Sequence, residues 1–366
     1  MVILQPPAST TSPATLTKGR GAVITPHARF VEVSREDFDD GWAADEEVPV
    51  RLKTTVTEEH ARSVISRNQS PDVPFAQSLN PYRGCEHGCV YCYARPSHAY
   101  LDLSPGLDFE SRLFAKVNVV EVLRHELGAP GYRCSPLALG ANTDAYQPIE
   151  RQFKLTRGIL ELLAKLQHPV TLVTKAALIE RDLDVLAPMA ALGLVEVFVS
   201  VTTLEHDLAR RMEPRATAPR RRVETIRRLA AQGVPVGVMF APAIAGLNDH
   251  EMETVIGAAA EAGAKSAAYV VLRLPREINP MFQSWLEMHY PLRAAKVMSL
   301  MRAQRGGQDY DSAFAQRMQG SGPIAQLLAR RFTQACRKAG LNQARSRLDT
   351  TLFMPPPRHA DQLTLF

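Results

Sequence analysis

Three cysteines fall within eight positions of this chain, in the run Asn80-Pro81-Tyr82-Arg83-Gly84-Cys85-Glu86-His87-Gly88-Cys89-Val90-Tyr91-Cys92-Tyr93-Ala94-Arg95-Pro96, spaced C-x3-C-x2-C. Gly84 and Gly88 let the backbone fold tightly enough to turn the three thiols toward one centre. Thiolates packed this closely repel one another unless a soft cation holds them. A disulfide uses two and strands the third, so the spacing predicts a metal centre. A structural zinc takes four protein ligands, and only His87 or His98 is close enough to be the fourth. His87 lies between two of the cysteines and would have to fold back onto the site they form. An iron–sulfur cluster on three cysteines leaves one iron open, as suits a centre that binds substrate.

The chain has 366 residues, enough for one large domain with extensions or for two domains. Its hydrophobic content of 45% and charged content of 22% are ordinary for a globular protein. No apolar run reaches membrane-spanning length, and MVILQPPAST at the start has neither a basic region nor a long apolar core. Closely spaced free thiols call for a reducing compartment, so the expectation is cytoplasmic, without a membrane partner. The net charge of +5 is unevenly spread. Glu32 to Glu47 is strongly acidic, whereas Arg210 to Arg228 and Arg330 to Arg347 are basic. Clustered arginines suit a polyanion; solvated helix faces are the plainer reading.

Along the chain, residues 1–50 read as a poorly ordered lead-in, with Ser, Thr and Pro crowding positions 6 to 17 before the acidic run. Lys18-Gly19-Arg20-Gly21-Ala22 and Asp39-Asp40-Gly41-Trp42 break that pattern. Beyond the cysteines, apolar strands over Pro136–Ala141, Val170–Thr174, Val195–Val201, Val234–Ala241 and Ser266–Leu272 alternate with helices over Arg151–Leu166, Asp182–Leu192, Arg220–Ala231 and His250–Ala262. Continuous Val, Leu and Ala strands separated by helices predict a parallel sheet covered on both faces. Six strand–helix units over residues 51–276, the first strand just before Cys85, fit a partial TIM barrel, a (β/α)6 arrangement of the α/β class. Residues 277–352 read as an α-helical extension, with Pro323 and Gly340 as start and stop signals for its last helix. Residues 353–366 read as a flexible tail containing Pro355-Pro356-Pro357.

In parallel α/β folds, ligands bind at the carboxyl ends of the strands. Those ends carry Asn142-Thr143-Asp144, Thr174-Lys175, Ser200-Val201-Thr202-Thr203, Ala241-Pro242 and Arg273-Leu274-Pro275. So many polar groups directly after apolar strands make a mouth rather than a core. Nearby, Arg181-Asp182 reads as an ion pair starting a helix, and Arg215 as a partner of either Glu213 or a ligand anion.

The C-x3-C-x-aromatic-C spacing resembles the signature of the radical S-adenosylmethionine (SAM) enzymes. The longer NPYRGCEHGCVYCYARP resembles their spore-photoproduct-lyase-like branch, and in particular its bacterial "DNA repair photolyase" relatives, from about Lys18 to the last residue; Lys18–Ala22 and Asp39–Trp42 resemble segments of those relatives, which implies that part of the lead-in docks on the core. The resemblance implies the partial barrel and a [4Fe-4S] cluster on Cys85, Cys89 and Cys92. It also implies SAM as cofactor, an external one-electron reductant, and reductive cleavage of SAM to a 5′-deoxyadenosyl radical. A zinc knuckle remains the alternative centre. SAM presents a carboxylate for a cation such as Lys175, an amino group for acceptors such as Thr143 and Asp144, and ribose hydroxyls for Ser200 or Thr202. Thr143, Asp144, Lys175 and Ser200 match positions that contact SAM in that branch. Tyr93 and Ala94 are implied adenine contacts, Tyr91 joins the expected cofactor pocket, and Arg215 is a further candidate for the SAM carboxylate.

Spore photoproduct lyases carry a cysteine hydrogen donor at the tip of the second strand, where this chain has Ala141-Asn142-Thr143-Asp144. Cys134 stands at the other end of that strand, roughly 20 Å from the mouth for about six residues, and reads, like Cys336, as a buried structural thiol. Tyr91, Tyr93 or Tyr146 is a possible substitute donor. The terminal Gln362-Leu363-Thr364-Leu365-Phe366 resembles the Q-x-x-L-F peptide that docks on the bacterial DNA sliding clamp. With the arginine clusters, it makes damaged or modified DNA the expected substrate. RNA, a peptide or a small molecule is the alternative, and a non-catalytic, metal-stabilised DNA or clamp adaptor is a third reading.

Overall fold

Five short apolar runs and the segment Gln77-Ser78-Leu79 become the parallel strands of a single sheet. The computed structural model describes residues 16–30, 52–344 and 347–357. The strands are β1 (Gln77–Leu79), β2 (Leu137–Leu139), β3 (Val170–Thr174), β4 (Val195–Ser200), β5 (Val236–Ala243) and β6 (Ser266–Val271). They pair in chain order, with registers such as Leu79 opposite Leu139, Leu172 opposite Val197 and Val199 opposite Val238. Ser66–Arg67 adds an antiparallel strand beside β1. Among the described residues no ladder joins that edge to β6, so the barrel is partial. Val170, Leu172, Val195, Val197, Val236 and Val238 are buried, as strands covered on both faces require.

Helices α1 (Val119–Leu127), α2 (Leu155–Lys165), α3 (Leu183–Ala191), α4 (Pro219–Ala231) and α5 (Met252–Glu261) follow β1 to β5 in turn. Their apolar stripes at helical spacing, such as Leu155, Ile159, Leu162 and Leu163 of α2, face the sheet. After β6 come α6 (Ile278–His289), α7 (Pro291–Ala303) and α8 (Gly322–Lys338). The strand–helix alternation appears where the sequence predicts it, with two differences at strand ends. β2 has three residues rather than six, because Gly140 turns away at φ +82°, where a Cβ would meet the Val173 carbonyl at 2.5 Å. β5 runs on through Ala241-Pro242 to Ala243.

A second core forms around the cysteine run. Phe282, Trp285 and Leu286 of α6 are fully buried with Val90 and Tyr91 and with Ala22, Val23 and Ile24. Complete burial of such side chains contributes roughly 1.5–3 kcal/mol each. The lead-in therefore contains a packed stretch, residues 16–30, at the Lys18–Ala22 segment expected to dock on the core. Glu32–Glu47 and Asp39–Trp42 lie outside the described residues.

The start of the expected tail is likewise held. The Met354 amide donates to the Leu166 carbonyl at 2.9 Å, and the Phe353 ring packs edge-on against His168. Gln362–Phe366 lies outside the described residues. Among the described residues, no helix is long and apolar enough to cross a membrane.

Candidate functional site

The cysteine run hangs from a small three-stranded sheet. Its centre, Arg112–Lys116, pairs in parallel with Thr55–Glu59 and antiparallel with Tyr82–Arg83, which leads directly into Cys85. The Cys85 amide donates to the Phe109 carbonyl at 2.9 Å, and the Val90 amide to the Met212 carbonyl at 3.0 Å. Gln147 clips the loop from above: its side-chain oxygen accepts the Glu86 amide at 2.9 Å and its side-chain nitrogen donates to the Gly84 carbonyl at 3.0 Å. Gly84 and Gly88 both take positive φ, +73° and +67°. A Cβ on Gly88 would stand 2.7 Å from the Glu110 carboxylate, so the tight turn needs glycine for its conformation and for space.

An ion pair with both side chains fully buried braces the loop from behind. Arg95 donates from Nε to the Cys89 carbonyl at 2.9 Å, from Nη1 to the Gly106 carbonyl at 2.9 Å, and from Nη2 to Glu110. Glu110 also accepts the amides of Gly21 and Ala22 at 2.9 and 2.8 Å, while Arg20 donates to the Glu110 carbonyl at 2.6 Å. The packed stretch of the lead-in is thereby tied to the back of the cysteine loop.

The strand ends make the mouth. Asp144, after β2, accepts the Lys175 amide at 2.7 Å, the Thr174 hydroxyl at 2.8 Å and the Tyr146 amide at 2.8 Å, and faces His87 Nδ1 at 3.3 Å. Burial alone would raise its pKa, but His87 and the two amides hold it down at about 2. Both carboxylate oxygens thus staple β2, β3 and the cysteine loop together. Thr143 donates its hydroxyl to the Tyr82 carbonyl at 3.0 Å.

Lys175 extends over the Tyr91 ring, with Nζ 5.8 Å from the ring centroid. Burial alone would lower its pKa; the sulfur of Cys89 and the carboxylates of Glu213 and Asp144 raise it instead. Under it, Glu213 accepts from Tyr91, from Thr202 at 2.8 Å and from Arg222. The Thr202 hydroxyl is therefore turned inward. The Ser200 hydroxyl is buried without a partner in the protein, while its carbonyl accepts from Arg222 at 3.1 Å. Tyr93 is 46% exposed, donates to the Ala141 carbonyl and lies under the Arg273 guanidinium at 4.4 Å. Ala94 is buried against Cys85, Cys92 and Phe109.

Two sequence expectations are corrected here. Arg215 does not pair with Glu213; it reaches Glu86 at 2.8 Å, because Arg222 already fills the Glu213 side. Cys134 is half-buried rather than buried, although its surroundings still push its thiol up to about 11. Cys336 is buried in α8, and Arg181 pairs with Asp182 at 2.8 Å. Much of the basic clustering is also neutralised locally. Arg221 and Arg228 meet Glu180, Arg227 meets Glu224, and Arg331 meets Asp249 and Glu253.

The donor set fits a polynuclear cluster better than a single ion. Burial, with Asp144 and the neighbouring sulfurs, pushes the Cys85 thiol well up, and burial pushes Cys89 up to about 12. A thiolate persists in such a place when a cation holds it. Ligands of one tetrahedral zinc sit about 3.8 Å apart at Zn–S distances of about 2.3 Å. Among the described residues, one group of three His, Cys, Asp or Glu draws its ligand atoms within 4.8 Å of one another, and it is Glu205, His250 and Glu251. The three cysteine sulfurs do not all lie within that distance of one another. His98, the other candidate fourth ligand, turns Nε2 to the Arg112 carbonyl at 2.9 Å.

This chain belongs to the radical SAM superfamily, whose enzymes use SAM and a [4Fe-4S] cluster for radical chemistry; residues 79–259 match it. An uncharacterized protein of Mycobacterium tuberculosis is 38% identical over 232 residues, covering 63% of this chain and 68% of that relative. One from Methanocaldococcus jannaschii is 26% identical over 231 residues, covering 63% of this chain and 82% of its own. Among solved structures, a substituted spore photoproduct lyase superposes with a TM-score of 0.54 at 14% identity, covering 84% of this chain and 88% of that one. Another, with bound AdoMet and dinucleoside spore photoproduct, gives 0.51 at 15% identity over 80% and 82%. These superpositions establish the shared fold.

Proposed function

We propose that this chain is a radical SAM enzyme acting on nucleic acid, with damaged or modified DNA as the substrate class. The observation that carries the catalytic part is the cysteine loop, with Cys85 and Cys89 buried, set beside a lysine at the end of β3 whose pKa the Cys89 sulfur helps to raise. Cys85, Cys89 and Cys92 would hold the [4Fe-4S] cluster. When bound, the cluster and SAM supply one-electron cleavage of the sulfonium and a 5′-deoxyadenosyl radical.

The residues' own work is binding, orientation and exclusion of water. Lys175 is the cation for the SAM carboxylate, and Cys89, Glu213 and Asp144 favour its charged form. Ser200 Oγ is the free hydroxyl available to a ribose, and Tyr93 and Ala94 line the adenine side. Asp144 and Thr143, whose polar atoms are engaged by the protein, position the cysteine loop; this role differs from direct contact with the SAM amino group.

For the substrate, support comes from the fold shared with spore photoproduct lyases, one of them holding a dinucleoside lesion. Anaerobic reconstitution with iron, sulfide, SAM and dithionite tests both parts. The expected result is 5′-deoxyadenosine in amounts that rise when lesion-bearing DNA is added. Turnover indifferent to DNA moves the substrate to RNA, peptide or small molecule, and DNA binding without any 5′-deoxyadenosine leaves an adaptor. Clamp docking by Gln362, Leu363, Leu365 and Phe366 is proposed separately on their sequence pattern. Clamp pulldown unaffected by Leu365→Ala with Phe366→Ala removes it.

A further inference from the structure

A cleft of about 460 Å³ lies beside the cysteine loop, between the segment after β2, the turn at 177–182 after β3 and the start of α4. Arg151, Arg181, Arg215 and Arg221 line it, together with His87, and no carboxylate does. The counter-charges stand outside the lining. Arg181 is held by Glu150 and Asp182, Arg221 by Glu180, and Arg215 by Glu86. Arg151 is exposed and makes no ion pair among the described residues. Arg215 gives one terminal nitrogen to Glu86 and remains 37% exposed. Arg181 and Arg221 spend most of their donors on these partners, so Arg151 and Arg215 bring the free forked donors to the cleft, the geometry that phosphate oxygens match.

We infer that this cleft seats backbone phosphates of a nucleic-acid strand whose target nucleotide enters the neighbouring mouth. The inference rests on the nucleic-acid reading above and names where the strand is gripped. Two features favour a strand over a lone phosphate compound. Arg151 and Arg215 come to the cleft from separate segments of the chain, so each can take its own phosphate. His87 is also shared, lining the cleft while its Nδ1 faces Asp144 in the mouth at 3.3 Å. A strand held in the cleft therefore lies one side chain away from the strand-end site. Arg215, which the sequence leaves open between a substrate phosphate, the SAM carboxylate and Glu213, is in this reading a phosphate ligand.

The test is fluorescence anisotropy of the anaerobic, iron-loaded full chain with a fluorescein-labelled single-stranded 12-nucleotide DNA, titrated at several salt concentrations. Arg151→Glu is the informative variant, because the side chain is exposed and leaves no buried partner behind. It is expected to weaken binding about tenfold and to flatten the log K against log salt slope by roughly 0.7 for each phosphate that the variant no longer neutralises. Arg337→Glu, an equal change of net charge on the exposed face of α8, serves as control and is expected to weaken binding less than twofold. Wild-type binding left unchanged by Arg151→Glu, or weakened equally by Arg337→Glu, overturns the cleft while the nucleic-acid reading stands. Displacement of the oligonucleotide by equimolar thymidine monophosphate overturns a strand in favour of a free nucleotide. Failure of the wild type to bind DNA overturns both readings.

Discussion

Glu213 shows how a single side chain organises the mouth. Its carboxylate is buried, accepts from Arg222 and Tyr91, and lies within the field of Lys175. Replacing Arg222 by methionine keeps the volume but leaves that charge without its main partner, so it is expected to cost about 3–5 kcal/mol in urea unfolding. The sign of the pH effect follows from the same contacts. Burial would raise the Glu213 pKa, but Arg222 and Lys175 hold it at about 2 against an ordinary 4.5. Asp144 is held at about 2 against 3.8. A carboxylate with a depressed folded pKa stabilises fully above its unfolded value, and that contribution is lost as pH falls toward the folded one. Stability should therefore drop between about pH 5 and pH 2, and Glu213→Gln should flatten that acid limb in midpoints measured across the window. Arg222 was within reach of sequence reasoning. It shares a helix face with Ile226 and Leu229, four and seven residues on, which places it against the core. The neighbouring arginines drew attention to a polyanion, and the arginine that faces inward was lost in the run.

At the level of elements, the strand–helix alternation was legible because covered parallel strands and amphipathic helices write opposite periodicities into the chain. What the pattern does not encode is the contact between distant segments. Gly21 illustrates the gap. A Cβ there would stand 1.8 Å from the Gly88 carbonyl, so the packed stretch at 16–30 approaches the cysteine loop backbone to backbone. In the sequence Gly21 is one glycine in a Lys-Gly-Arg-Gly run with no marked partner. Gly21→Val is expected to lift this stretch off Glu110, leaving Arg95 its remaining partners. Hydrogen–deuterium exchange should then rise over 84–92 and over 20–24, with β3 to β5 unchanged. A matching rise in the sheet would mean that the stretch supports the whole fold rather than the loop. The turn that shortens β2 was marked by Gly140 itself, but the apolar residues on both sides of it let Pro136 to Ala141 read as one strand.

For the whole molecule, the question is how far folding depends on the metal centre. Small zinc domains unfold when stripped, because the ligand set is most of what holds them together. This chain is built differently. Its main core joins all six parallel strands to α1–α5, and a second core packs the cysteine loop against α6 and α7. The loop itself is held by bonds that need no metal: the Cys85 amide to Phe109, Arg95 to the Cys89 carbonyl, Gln147 to Gly84 and Val90 to Met212. The Cys85 and Cys89 thiols, pushed up by burial, become neutral once a cation leaves, which removes their mutual repulsion. Stripping iron by oxidation and chelation should therefore abolish the visible absorbance while far-UV circular dichroism stays native. The thermal midpoint should fall by only a few degrees, since a loss of about 1 kcal/mol shifts a domain of 150–250 residues by roughly 2–4 °C. Cys85→Ala, Cys89→Ala and Cys92→Ala should each give the same colourless, folded protein. Cooperative unfolding on iron removal would show instead that the cores close only around a bound cluster, and that the bonds behind the loop form after it.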